Sequence, residues 1–438
     1  MQPNQWEASF QSSSIPEFMD HPFVLVLTSV LAFYLAWNLG ANDVANSMGT
    51  SVGSKAVTLK QALIIAGILE FMGAVVFGQE VSAKLATGII DPALFAQTPQ
   101  ILLVGMVSVL ISAGVWLNIA TLFGLPVSSS HATVGAIAGF ACVALSPGAV
   151  NWSSIGMISL TWIVTPLISG AIAALFYSQI KRWILDQPNP IAQLQEWIPW
   201  LSAALMGIFG VIVLPTLSQP LQALLLDRFE LDLPAHDLPL LIGSSGAIVL
   251  TLTIWRLNQN TQNPEPLLAR FQVLSACFVA FAHGSNDVGN AVAPLAAIVY
   301  ITQTKSVPLQ NFQVPLWILM LGGIGIVAGL AVMGKKVIAT IGEGIIALQP
   351  SGGFCAELAT AATILVASRL GLPVSTSHAL VGGVVGVGLI QGLKSIQFQT
   401  LRSIGLTWLV TIPIAAGLSA AIFTVARSLI TGYSIEIL

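Results

Sequence analysis

The chain reads as an all-α polytopic membrane protein, and three observations predict it. It is 55% hydrophobic and only 8% charged, with mean hydropathy +0.87, where a soluble chain carries about 25% charged residues. Apolar runs of about 20 residues, the length of a membrane helix, recur from end to end. Two polar motifs, Gly-x-Asn-Asp-Val-x-Asn and Leu-Pro-Val-Ser-(Ser/Thr)-Ser-His, interrupt those runs, and each occurs twice. The runs do not alternate apolar with polar residues, which excludes a membrane β-barrel. A net charge of −3 and a pI near 5.9 leave no basic surface for nucleic acid.

Residues 1–22 form a polar tail with no Lys or Arg ahead of an apolar core, unlike a cleaved secretory signal. Spans are expected at 24–39, 61–78, 101–123, 128–146 and 155–178, bounded by polar, Pro or Gly-rich joints, which makes a first repeat over 23–180. An amphipathic connector from Lys181 to Trp200 and two linking spans, 199–217 and 238–257, occupy 181–269. Spans at 270–286, 315–334, 354–370, 377–391 and 403–428 make a second repeat over 270–438. About twelve segments result.

Consecutive spans alternate in direction, and Lys and Arg gather on the cytoplasmic side. With the N-terminus outside, Lys55, Lys60, Lys181, Arg182, Arg256, Arg270, Lys335, Lys336, Lys394 and Arg402 fall inside, against Lys84, Arg228, Lys305, Arg369 and Arg427 outside. Both termini are therefore predicted outside. Each repeat holds an odd number of spans, so the second is inverted relative to the first, the plan of secondary transporters with a site at the midplane. Cys142, Cys277 and Cys355 lie in apolar surroundings without metal-ligand spacing and read as small buried hydrophobes, with no disulfide and no metal cluster.

The first motif places Asn42, Asp43 and Asn46 after one apolar run and Asn286, Asp287 and Asn290 after another. A carboxylate at membrane depth costs about 2.5–3.5 kcal/mol on insertion scales, so two matched ones point to a function. Carboxylate and carboxamide oxygens suit a small hard cation. On a helix Asn42 and Asn46 share a face while Asp43 points about a quarter-turn away. One ion can use all three only if the helix is broken near Asn42–Asn46, and a continuous helix there counts against the sodium reading below. The alternative is a structural Asp–Asn cap.

In the second motif Pro126 and Pro373 mark broken or re-entrant helices. Ser128, Ser129 and Ser130, and Ser375, Thr376 and Ser377, then lie at helix N-termini, whose unpaired N–H groups and dipole favour an oxyanion. A tetrahedral anion such as phosphate could be held from both halves. The competing reading is ordinary caps and packing hydroxyls. His131 and His378 read equally well as structural histidines. Glu70 and Glu357 complete the set; they are not copies of each other, since Glu70 aligns with Ile326 and Glu357 with Leu110. Either can line an ion path, and Glu357 can equally sit at a membrane surface.

The stretches GANDVANSMGTSVGSKAVT at 40–58, GFCAEL at 353–358 and GLPVSTSH at 371–378 resemble the inorganic phosphate transporter (PiT) family, and the first is similar to its sodium-coupled branch. The resemblance covers both repeats. It implies import of inorganic phosphate by sodium symport, an inverted-repeat fold and a homodimer, with no cofactor besides coupling sodium ions. It also implies transport roles for Asp43, Asp287, Glu70, Glu357 and the hydroxyls of both Pro-Val-Ser segments. The long hydrophilic loop of animal members is replaced here by the short connector and two spans. Proton-coupled phosphate or sulfate transport by the same fold is the alternative. An intramembrane serine hydrolase is a remote one, since no residue is marked out as its base, and a passive channel is a further one.

Overall fold

The computed structural model describes residues 22–229, 234–257, 263–309 and 312–433; nearly all of the polar tail lies outside them. The described residues form thirteen α-helices: α1 (Pro22–Gly53), α2 (Leu59–Thr87), α3 (Pro99–Leu122), α4 (Ser129–Ala144), α5 (Trp152–Ile180), α6 (Pro190–Ile212), α7 (Leu214–Phe229), α8 (Asp237–Leu257), α9 (Glu265–Thr304), α10 (Leu316–Gly344), α11 (Pro350–Arg369), α12 (Thr376–Gln391) and α13 (Phe398–Tyr433). Ten are long and apolar enough to cross a membrane; α4 and α12 are shorter apolar helices of 16 residues each. At 1.5 Å per residue these two reach about 24 Å, short of a hydrocarbon core about 30 Å thick.

Their shortness follows from how they begin. Helices α3 and α11 end on Gly124 and Gly371 at φ 65° and 64°, left-handed backbone that glycine adopts without penalty. The next N–H, of Leu125 or Leu372, bonds back to the carbonyl of Ala120 or Ala367 at 2.9 Å, closing a Schellman turn. Pro126 and Pro373 keep the chain extended. Ser128 and Ser375 then cap α4 and α12 by accepting the N–H of His131 (3.4 Å) and His378 (3.3 Å).

Both turns are deep in the protein. Val127, Ser128, Ser130, Val374, Ser375 and Ser377 are buried, and Ser130 Oγ donates to the Val374 carbonyl at 2.8 Å, so the two tips touch. Expecting 101–123 and 128–146 as successive full spans is therefore corrected: α3–α4 and α11–α12 are hairpins that meet inside the fold. A polar turn at that depth is tolerated because the protein supplies its hydrogen bonds.

The remaining helices pack in matched exchanges. A Cβ on Gly284 of α9 would overlap the Glu70 carbonyl of α2, and one on Gly40 of α1 would overlap the Ile326 carbonyl of α10. Further along, Gly78 meets Val288 and Gly334 meets Val44. Hence α2 runs parallel to α9, and α1 to α10. Because the short turn 54–58 reverses the chain between α1 and α2, α1 and α9 point in opposite directions. The contacts also set Glu70 opposite Ile326, as the sequence alignment expects. Outside this group α4 packs on α13 and α12 on α5, with Gly135 against the Ile412 carbonyl and Gly382 against that of Pro166.

The linking region differs from expectation. Helix α6 starts at Pro190, within the expected connector, where Asn189 caps the Ala192 N–H at 3.2 Å. A third helix, α7, follows it; Pro215, Gln219, Pro220 and Asp227 dilute its apolar residues and hide it from a hydropathy scan.

Candidate substrate and ion site

Five helices converge where the hairpin tips meet the middles of α1 and α9. Asp43 and Asn46 come from α1, His283, Asp287 and Asn290 from α9, Glu70 from α2, Ser129 and Ser130 from the start of α4, and Thr376 from the start of α12. All are buried. Asn46 Nδ2 donates to Asp43 Oδ1 at 3.0 Å and reaches Thr376 Oγ at 3.4 Å. Thr376 donates to Asp287 Oδ2 at 2.8 Å. Asn290 Nδ2 lies 3.4 Å from both Ser129 Oγ and Ser130 Oγ. Each hairpin tip thus touches the motif of the opposite half, and Thr376 also that of its own.

His283 binds this centre from one side. Its Nδ1 stands 3.1 Å from Glu70 Oε1 and its Nε2 3.0 Å from Asp287 Oδ2, while Ser47 donates to the same Glu70 oxygen at 2.8 Å. Ligand atoms of Asp43, His283 and Asp287 lie within 4.8 Å of one another. The sequence analysis missed His283. Its signal was an ionisable residue in an apolar run at helical i, i+4 spacing to Asp287; it has no copy in the first half, where Leu39 stands.

Several buried oxygens here have no hydrogen-bond partner: Asp43 Oδ2, Asn46 Oδ1, Glu70 Oε2, Asp287 Oδ1, Asn286 Oδ1 and Asn290 Oδ1. For Asn46 the assignment is forced, since only its Nδ2 can donate to the Asp43 carboxylate. Leaving a buried acceptor unpaired costs about 1–3 kcal/mol. Unpartnered oxygens on Asp43 and Asp287, whose ligand atoms lie close together, are what a cation would satisfy.

The other expected residues are placed elsewhere. Asn42 is committed to the first hairpin: Nδ2 donates to Thr121 Oγ (3.1 Å) and the Leu125 carbonyl (3.0 Å), and Oδ1 accepts the Val127 N–H (3.3 Å). Asn286 does the same for the second, through Ser368 Oγ and the Leu372 carbonyl, both at 3.1 Å. Ser128 and Ser375 are caps, and Ser377 pairs with Ser375 at 3.1 Å. Glu357 forms a separate buried cluster, accepting from Thr50 and Ser51 (both 2.6 Å), Ser275 (2.8 Å) and Gln272 (3.2 Å). Thr50 lies seven residues beyond Asp43 on α1, about 10 Å along the axis. Glu357 therefore sits inside the fold, not at a surface.

The broken helix expected near Asn42–Asn46 is not found. Helix α1 runs unbroken from Pro22 to Gly53, and α9 from Glu265 to Thr304. This counts against the sodium reading, which put Asn42, Asp43 and Asn46 on one ion only through a broken helix. Asp43 and Asn46, at i and i+3, share a face without unwinding, and further oxygens arrive from other helices.

Behind the tips, His131 packs at a tilt on Trp162 with ring centroids 3.8 Å apart, and His378 stacks on Trp408 at 3.6 Å. The bonds cross over: His131 Nδ1 meets the Trp408 carbonyl at 3.2 Å and His378 Nδ1 the Trp162 carbonyl at 2.8 Å. A carbonyl only accepts, so each Nδ1 carries the proton.

Residues 39–419 match the phosphate transporter family. A chloroplastic inorganic phosphate transporter of Arabidopsis thaliana is 40% identical over 430 residues, covering 91% of this chain and 71% of that protein. A Haemophilus influenzae protein named as a phosphate permease is 39% identical over 412 residues, covering 92% and 96%. A solved structure titled as the sodium-dependent phosphate transporter superposes with TM-score 0.84 at 36% identity, covering 92% of this chain and 99% of its own. The chain is an integral membrane protein and belongs to the phosphate transporter family.

Proposed function

We propose that the protein imports inorganic phosphate by symport with sodium, the two inverted repeats moving against each other to expose the site to each side in turn. The observation that carries the reading is the set of orphaned oxygens on Asp43, Asn46, Asp287 and Asn290 facing the hydroxyl-bearing N-termini of α4 and α12. Hard oxygens suit sodium, and helix N-termini with Ser129, Ser130 and Thr376 suit the oxyanion. Glu70 and Glu357 complete the ion path, Glu357 from its own cluster. The solved relative's sodium dependence supports the coupling ion.

Phosphate is preferred over sulfate because a protonated phosphate oxygen can donate to Asp43 or Asp287, whereas sulfate at neutral pH cannot. The remote hydrolase reading has little support: among the described residues no histidine ring nitrogen bonds a serine hydroxyl, as a nucleophile and its base require. A homodimer in the cell membrane with both termini outside completes the proposal. The test is labelled-phosphate uptake into liposomes by the wild type, Asp43→Asn and Asp287→Asn, with excess sulfate as competitor. Loss of uptake in both folded variants and weak sulfate competition are expected; wild-type uptake in either variant makes the motif structural.

A further inference from the structure

At the two hairpin turns the halves match closely, so a charge present at only one of them is informative. Asn42 holds Thr121 and Leu125, and Asn286 holds Ser368 and Leu372. The residue after Thr121 is Leu122; the residue after Ser368 is Arg369. We propose that Arg369 captures inorganic phosphate at one mouth of the site, and that the other mouth has no counterpart, an inference that rests on the phosphate-transport reading.

Ser368 is buried against Asn286, yet Arg369 beside it is exposed and Leu370 is 68% exposed. The surface of the fold therefore comes within one residue of Ser368. Glu80, also exposed, flanks it, because a Cβ on Gly371 would lie 3.5 Å from the Glu80 carbonyl oxygen. Arg369 and Glu80 thus bring charge to the protein surface beside the second hairpin.

Neutral groups hold the guanidinium. Its Nη1 donates to Thr216 Oγ at 2.7 Å and it lies over the Phe77 ring, 5.4 Å from the centroid. Among the described residues no carboxylate pairs with it. Arginine carries five N–H donors in a fork that fits an oxyanion bidentately, and Thr216 uses one. The site beyond presents the acidic side chains of Asp43, Glu70 and Asp287, with His283 set between the last two. A fixed cation at the surface raises the local anion concentration beside it.

A plainer role for Arg369 is to offset the dipole at the C-terminus of α11. Uptake kinetics of the full chain in liposomes, at saturating sodium, separate the two. Arg369→Gln is expected to raise the KM for phosphate about tenfold with maximal rate unchanged. Arg369→Lys restores a near wild-type KM, and added salt narrows the gap between Gln and wild type. Thr216→Val, which frees the guanidinium and keeps its charge, raises KM by a smaller factor and covers the case in which Arg369→Gln folds poorly. Labelled-phosphate binding in lipid-free detergent must show the same weakening; if it vanishes there, Arg369 holds a lipid phosphate and the proposal is wrong. An unchanged KM, or a loss of maximal rate alone, also overturns it. Wild-type protein that takes up no phosphate fails the transport reading itself, a separate outcome.

Discussion

Thr376 donates its hydroxyl to the Asp287 carboxylate at 2.8 Å, tying the tip of the second hairpin to the middle of α9. In the proposed function, the bond links the helix that would present oxyanion donors to the helix that would present a cation ligand. A hydrogen bond to a charged group is worth about 1.5–3 kcal/mol, so Thr376→Val is expected to lower uptake roughly 10- to 100-fold. Thr376→Ser should retain most of it. Uptake kinetics against sodium concentration measure both, and equal activity of Val and wild type would show the contact to be incidental.

The asparagines divide into two jobs that stability and transport distinguish. Asn42→Ala removes a carboxamide that satisfies both sides of a buried turn, and it should cost about 2–4 kcal/mol, seen as a lower Tm in detergent. Asn46→Ala should lower Tm less than Asn42→Ala, since only its Nδ2 is paired, with Asp43 and Thr376, and should weaken apparent sodium affinity through loss of the unpartnered Oδ1. The reverse pattern would mean that Asn42, not Asn46, is the ion ligand.

The close helix crossings make a prediction far from the chemistry. A methyl on Gly73 would overlap the Phe281 carbonyl, and one on Gly329 the Trp37 carbonyl, the same contact in the two halves. Overpacking of this kind typically costs about 1–3 kcal/mol. Gly73→Ala and Gly329→Ala should each reduce Tm and the yield of folded protein by similar amounts. A normal Tm in one and not the other would show that the halves do not bear load alike.

The crossed histidines predict a structural phenotype. His378→Leu keeps bulk but loses the bond to the Trp162 carbonyl, and it should lower Tm while leaving the sodium dependence of residual uptake unaltered. A changed ion dependence would place His378 in the transport chemistry.

Much of this arrangement was legible because it is written twice. The duplicated Asp–Asn and Pro-Val-Ser motifs located the centre, and Pro126 and Pro373 located the breaks. What was illegible lacks a copy or depends on depth. His283 stands opposite Leu39, so no repeat flagged it. Hydropathy gives α3 and α4 the same profile whether their turn lies at a membrane surface or in the core, and only the bonds from Asn42 decide. Spacing along one helix suggested a break near Asn42, because oxygens arriving from α2, α4, α9 and α12 cannot be seen from α1 alone. Glu357 shows the same limit: its partners Thr50, Ser275 and Gln272 come from helices distant in sequence.

The central claim is that sodium drives phosphate through this site, and a gradient exchange tests it most directly. Liposomes containing the protein are loaded without sodium, and labelled-phosphate uptake is followed under an inward sodium gradient or, sodium-free, under an inward proton gradient. Accumulation only with sodium, abolished by Asp43→Asn, is the predicted result. Accumulation that follows the proton gradient and ignores sodium would contradict the account.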